Sequence, residues 1–316
     1  MRYIKHFKEL SKNDPHIAGG KGASLGEMTN KGFPVPPGFV VLADAFTLFI
    51  QENYLTEKID NILDIVDHED QESINNASEK IKRTILKGDI PIGLKKEIII
   101  SFNNLDSEFV AVRSSATAED AADNAWAGQL DSFLNTRKED LLLNIKRCWA
   151  SLFTPRAIFY RFEKKLHGEH IAVAVVVQKM INSDVSGVAF SVHPVTKNRN
   201  HSVIEACFGL GEAIVSGQVT PDSYIINKSE DFIEKITVAE QEKAMKRSKQ
   251  GQNIWTDIKN KKVQKISGRR IMELAHLINS IEDHYGFPCD IEWAFEEGNF
   301  YITQSRPITT LEENND

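Results

Sequence analysis

Lys21, Arg113 and Arg306 are cations placed where an anion could be gripped, and Glu205, Glu292 and Gln304 are oxygen donors that suit a hard cation. Lys21 stands in GGKGASLGEM, among Gly19, Gly20, Gly22 and Gly26. Glycines permit positive φ and let backbone amides approach an anion, while lysine adds a mobile point charge. Residues 24–30 then read as a helix whose start would add its dipole. Taken alone, a glycine turn before a helix with a solvated Lys21 is the other reading. Arg113 closes a short apolar strand over residues 109–113 and is followed by Ser114, Ser115 and Ala116. A planar guanidinium can hold phosphate oxygens bidentately, and small neighbours allow close approach. An arginine paired with a carboxylate is the other reading.

The run DIEWAF at residues 290–295 alternates, with Ile291, Trp293 and Phe295 on one face and Asp290, Glu292 and Ala294 on the other. Gln304 and Arg306 lie two apart on the following strand, hence on a common face. A four-residue loop over 296–299 pairs Phe295 with Phe300 and sends Glu292 and Gln304 to opposite faces. A five-residue connection over 296–300 pairs Phe295 with Tyr301 and Glu292 with Gln304. Only the second register gathers Glu292, Gln304 and Arg306 on one surface. That surface would suit magnesium and phosphate: Glu292 and Gln304 oxygens for a hard cation, Arg306 for charge on the transferring group. A polar solvent face on an edge hairpin is the alternative.

Of two familiar nucleotide motifs, one is excluded and the other is weak. Counting back from Gly20-Lys21, the first glycine of a Walker A loop would be Pro15, and Gly22 replaces its Ser/Thr. After EACFGLGEA the position where a GxGxxG fingerprint needs its last glycine is Ile214, so a dinucleotide turn at Gly209 and Gly211 is a weak reading. Glu205 in that motif suits a nucleotide or metal contact, or a structural salt bridge.

These residues need elements to carry them. Residues 54–100 are polar and helix-rich, and their acidic patch (Asp64, Asp67, Glu69, Asp70) reads as a solvated helix face. Residues 140–163 keep a helical period, with Pro155 opening or kinking its continuation. From Ile171 the pattern becomes strands, at 172–179, 187–192, 202–206 and 224–227, each short, β-branched and bounded by turn residues. A helix over 269–285 and a two-stranded hairpin follow. The change near residue 178 marks the expected subdomain boundary. Trp126, Trp149, Trp255 and Trp293 are expected to be core or packing residues.

A net charge of -7 with pI near 5.8 argues against a general nucleic-acid binder, which needs a concentrated basic surface. MRYIKHFKEL has no apolar signal region, and the longest apolar run, residues 171–177, is too short to cross a bilayer. Neither nucleic acid nor membrane is an expected partner. Cys148, Cys207 and Cys289 form no CxxC pair and are expected to be buried thiols in a reducing, cytoplasmic setting.

The four islands GGKGASLGEM, VRSSATAED, EACFGLGEA and DIEWA…QSRP resemble the ATP-binding region of the phosphoenolpyruvate synthase and pyruvate, phosphate dikinase family, which includes rifampicin phosphotransferases. The resemblance covers nearly the whole chain and only the first of that family's three functional parts. It implies an α+β, ATP-grasp-like fold. Residues 1–178 and 179–310 would be its two subdomains, with ATP and Mg2+ in the cleft between them and 311–316 as tail or severed linker. It implies phosphate contacts from Lys21, Arg113 and Arg306, the catalytic set, and metal ligation by Glu292 and Gln304. The segment AGQLDSFLN, with Gly128 at a turn and Ser132 offering a hydroxyl, resembles the loop that covers the triphosphate. Gln178 and Met180 match the hinge that lines the adenine pocket, with Met180 as plain core the alternative, and Glu205 falls in the nucleotide-binding subdomain.

In that family phosphate passes to a histidine on a swivelling domain, in a glycine-rich setting that none of the nine histidines here has. His193, in FSVHP, is the nearest and reads as a turn residue. The expected partners are therefore a phosphohistidine domain and an acceptor domain, for pyruvate or an antibiotic, in cis or in trans. The chain is expected to be a nucleotide-activating module: a truncated piece, a split subunit or a stand-alone homologue. A nucleotide-binding regulator without transfer, and a fragment of an ATP-grasp ligase, are the readings from other classes.

Overall fold

β-branched runs and amphipathic periods sort this chain into an α+β protein. The computed structural model describes residues 2–117, 131–163 and 172–311. Contacts divide the chain into two units, one of Met1–Asn30 with Pro37–Met180, the other of Lys31–Pro36 with Ile181–Asp316.

The first unit runs β1 (Ile4–His6), α1 (Pro15–Asn30), β2 (Gly38–Val41), α2 (Ala43–Glu52), α3 (Thr56–Leu63), α4 (Gln71–Lys87), α5 (Ile92–Asn103), β3 (Val110–Ala116), β4 (Ser132–Thr136), α6 (Lys138–Ala150), α7 (Pro155–Glu163) and β5 (Val173–Lys179). Its sheet is antiparallel, in the order β1-β2-β5-β3-β4. Side chains alternate across a strand. Phe39, Val41, Val110, Val112, Ala116, Val173, Val175 and Val177 therefore share the face that joins the main core. Trp149 of α6 is fully buried there, its ring centroid 4.8 Å from that of Phe49 and 5.9 Å from that of Phe46. The polar helix-rich stretch resolves into α3, α4 and α5. Asp70 caps α4, accepting from the amides of Glu72 and Ser73. At the other end of α4, the Lys146 ammonium donates to the carbonyls of Leu86 and Gly88 at 2.7 and 3.0 Å. Pro155 opens α7 after a short 3-10 turn, where a missing amide costs nothing.

The second unit runs β6 (Val185–Phe190), β7 (His201–Phe208), α8 (Glu212–Val215), β8 (Asp222–Asn227), β9 (Phe232–Thr237), β10 (Lys243–Arg247), β11 (Asn253–Asp257), α9 (Gly268–Tyr285), β12 (Cys289–Glu296) and β13 (Asn299–Pro307). Six strands form an antiparallel sheet in the order β13-β12-β6-β7-β8-β9, and β10 and β11 pair separately as a hairpin. The α9 helix buries Ile271, Leu274, Ala275, Ile278 and Ile281, and it packs against β12, β7, β8 and β9. Trp293 is buried, as expected. Trp255 is not a core residue: it is 41% exposed, because β11 is the free strand of a two-stranded hairpin. Trp126 lies outside the described residues.

Candidate functional site

In the first unit, strand pairing sets Val40, Val176 and Arg113 in one row and Ser115 beside Ala174 in the next, with Arg113 opposite Ser132. Gln178 lies in a third row with Gly38 and Ala111. Gln178, Arg113, Ser115 and Ser132 thus project from the face opposite the main core. The α1 helix, which carries Lys21, packs against β3 and β5, and the side chains of Val40 on this face meet its Gly22. Gln178 is buried and Ser132 exposed. Met180 follows β5 and donates its amide to the carbonyl of Phe109 at 3.0 Å. Gly128 lies outside the described residues.

The glycine-rich stretch differs from its expected form. It is not a free loop before a helix at Ser24. Helix runs over Pro15–Asn30 and is broken only at Gly19, with φ 67° and ψ 167°. Helical backbone resumes at Gly20, so Lys21 sits in the first turn of the second segment. Gly19 is required twice over: its φ lies where side chains are strained, and a Cβ there would come within 2.4 Å of the Ser115 carbonyl oxygen. The amide of Gly22 donates to the Ser115 hydroxyl at 3.3 Å.

In the second unit, Gln304, Glu292, Val188 and Glu205 form one row across β13, β12, β6 and β7. Arg306 and Asp290 form the next row on the same face. Neither register expected for the hairpin is the whole answer. Phe295 pairs with Phe300 and Glu296 with Asn299, so the turn is the two residues Glu297 and Gly298, both at positive φ. A bulge then intervenes: Trp293 pairs with Ile302, but Glu292 pairs with Gln304, leaving Thr303 as the extra residue. The short turn satisfies the aromatic pairing, and the bulge flips the polar end onto one face.

Arg306 is held by a residue not among the expected ligands. Its Nε and Nη2 donate to Asp290 Oδ2 at 2.8 and 2.7 Å. The signal was present in the sequence, since Asp290 shares its face with Glu292, but the partner of Arg306 depends on the register. Burial raises the Asp290 carboxyl above its ordinary range; Arg306 opposes the shift and Glu292 adds to it. Glu205 is raised for the same reason, burial first and then the Asp290 charge. A face that crowds partly buried carboxyls fits a bound cation. Among the described residues no group of three or more His, Cys, Asp or Glu could hold a metal by itself. A magnesium ion held by Glu292 and Gln304 would therefore need oxygens from its ligand as well.

The raised Glu205 has a measurable consequence. A carboxyl that binds its proton more tightly when folded makes stability fall as pH rises from the ordinary range through the raised value. Glu205→Gln is expected to raise the melting temperature at neutral pH. The gain should vanish once pH drops below the ordinary carboxylate range, where both states are protonated. A melting series from pH 3 to 8 checks it.

Gly209 of FGLGEA serves packing. Gly209 has φ 89°, and a Cβ there would meet the Met245 carbonyl oxygen at 2.2 Å. Its amide donates to the Asp184 carbonyl and that of Leu210 to the Met245 carbonyl, each at 2.9 Å. Buried Gln241 adds a strand-like clamp, accepting from the Phe208 amide and donating to its carbonyl at 2.9 and 3.0 Å. Other sequence candidates are inert. All three cysteines are buried and free, and burial pushes their thiols up to about 12, 11 and 12 for Cys148, Cys207 and Cys289. His193 sits at a turn, its Nδ1 accepting the amides of Val195 and Thr196 at 3.3 Å. Among the described residues no helix is long and apolar enough to cross a membrane.

Comparison with known proteins places these residues in a family. The chain is 46% identical to the probable phosphoenolpyruvate synthase of Methanocaldococcus jannaschii, over 99% of this chain and 27% of that protein. It is 40% identical to the phosphoenolpyruvate synthase of Pyrococcus furiosus, over 99% of this chain and 44% of the relative. It is 38% identical to the rifampicin phosphotransferase of Bacillus cereus, over 98% of this chain and 36% of the relative. The chain thus spans less than half the length of each of these relatives. A family model, pyruvate phosphate dikinase, AMP/ATP-binding domain, matches residues 15–316. With a match of that extent, the chain belongs to the pyruvate phosphate dikinase AMP/ATP-binding domain family.

Proposed function

We propose that this chain is the Mg-ATP-binding module of a phosphotransferase of the phosphoenolpyruvate synthase type, passing the β-phosphate of ATP to a histidine on a separate domain and releasing AMP. The observation that carries the reading is the row of Gln304 and Glu292 beside Arg306 on one sheet face, in a chain of an ATP-binding family. In this proposal the two units are the halves of an ATP-grasp-like fold, and each carries its share of the ligand set. Lys21 and Arg113 hold phosphate oxygens, Gln178 and Met180 border the base, and Ser132 with Gly128 belongs to the covering loop. Glu292 and Gln304 would hold magnesium, which when bound would neutralise phosphate charge. Arg306 stabilises charge that grows on the transferring group, and Glu205 adds a carboxyl to the same face. The phosphohistidine domain, an acceptor domain for pyruvate and a cytoplasmic location complete the proposal.

Attack on a bound phosphate needs an acceptor in line, and water is a poorly placed substitute. The chain alone is therefore expected to bind Mg-ATP and to turn it over very slowly. Titration calorimetry with a non-hydrolysable ATP analogue and magnesium tests the binding, and absence of heat at millimolar nucleotide would sink the proposal. Adding a family histidine domain in trans should raise AMP formation and label its histidine. AMP or ADP production at several per second by the chain alone would contradict a separate acceptor.

A further inference from the structure

We infer that Ser115 is a positioning residue, fixing the first turn that carries Lys21 to the strand that carries Arg113; the inference rests on the phosphate-binding reading proposed above. Arg113 and Ser115 are two apart on β3, hence on the same face, and β3 packs against α1. Ser114 between them points the other way, its hydroxyl 3.3 Å from the carbonyl of Cys148 and 3.1 Å from the Ser151 hydroxyl. So of the two serines only Ser115 can reach α1.

What Ser115 does there follows from the break at Gly19. A helix that restarts at Gly20 exposes its first amides, and glycine has no side chain to cap them. Ser115 is fully buried, and its hydroxyl accepts the Gly22 amide at 3.3 Å, a cap supplied from another element. Closeness reinforces the bond: a Cβ at Gly19 would lie 2.2 Å from the same hydroxyl oxygen. Gly19 and Gly22 thus straddle one side chain, with Gly20 and Lys21 between them. The position of Lys21 along the helix is thereby set relative to Arg113 two residues away on the strand. Loss of the hydroxyl would leave both cations in place and loosen their spacing.

The test uses the full chain labelled with 15N-glycine, with Ser115→Ala made alone and together with Lys21→Ala. Amide exchange at Gly22 is followed without ligand, and Mg-ATP analogue affinity is followed by titration. The expected result is at least tenfold faster exchange at Gly22 in Ser115→Ala, with affinity about tenfold weaker. In the Lys21→Ala background the same serine change should shift affinity less than twofold, because the residue it positions is gone. An unchanged Gly22 amide overturns the inference whatever the nucleotide does. So does an equal loss of affinity in both backgrounds, or a Ser115→Ala chain that no longer folds, since each marks a purely structural serine. If the parent chain binds no nucleotide, the phosphate-binding reading itself fails and takes this inference with it. The ligand-free exchange data still show separately whether the contact exists.

Discussion

Arg306→Ala is expected to weaken Mg-ATP binding by one to two decades while changing the fold little. A charge-assisted contact to phosphate contributes roughly 1.5–3 kcal/mol, which is about ten- to a hundredfold in affinity. The cost to stability is smaller because the Arg306 side chain is 56% exposed, and a pair so placed contributes on the order of 1 kcal/mol or less. Asp290 makes the experiment sharper. It is only 14% exposed and already crowded by Glu292, so removing the arginine pushes its carboxyl further up. The predicted signature is a large fall in affinity with a small, pH-dependent fall in melting temperature. Arg306→Lys should recover part of the affinity, since an ammonium restores charge but not the two-pronged grip. Calorimetric titration of the three proteins reads the ranking. Unchanged affinity in Arg306→Ala would remove this hairpin face from the site.

Lys265→Met is expected to be the most damaging single change to stability, at about 3–5 kcal/mol, because it leaves a buried carboxylate without its cation. Both side chains of the Lys265–Asp222 pair are wholly inaccessible to solvent, 2.8 Å apart. Asp222 also accepts from the amides of Ala239 and Lys265, each at 2.9 Å, and from the Tyr224 hydroxyl at 2.7 Å. Burial, with the Asp222 charge behind it, holds that phenol protonated well above its ordinary value, so it remains a donor. The hub ties Ala239 and Lys265, which bracket the β10–β11 hairpin, to β8. That hairpin in turn clasps Gly209 and Leu210 through Met245. Denaturant unfolding of Lys265→Met, Asp222→Asn and the double variant measures the effect. The double variant should lose less than the sum, since no charge is then left buried alone. A loss under 1 kcal/mol in Lys265→Met would show that the Asp222 carboxylate does not depend on its cation.

Much of this protein was legible in its sequence because the signals are local. Alternation and period placed β5, β6, β7, β8 and α9, since burying one face needs only the right spacing along the chain. Pro155 marked the start of α7 through its own geometry. Lys21, Arg113, Glu292, Gln304 and Arg306 stood out by residue type and neighbours, and the four islands together pointed to the family. What the tertiary structure decided are relations between distant segments. Whether Glu292 meets Gln304 depends on a bulge at Thr303, and a bulge is chosen by packing on both sides of the sheet rather than by the strand that contains it. The helix break at Gly19 looked like a loop from sequence because glycine permits both; Ser115, 96 residues later, lies so close that only glycine fits there. Gly209 resembled half of a dinucleotide fingerprint, and only the Met245 carbonyl lying against it shows why glycine is needed. Asp290 was one more carboxylate until strand pairing set it against Arg306. In each case the residue's chemistry is local, but its partner is set by how separate elements pack.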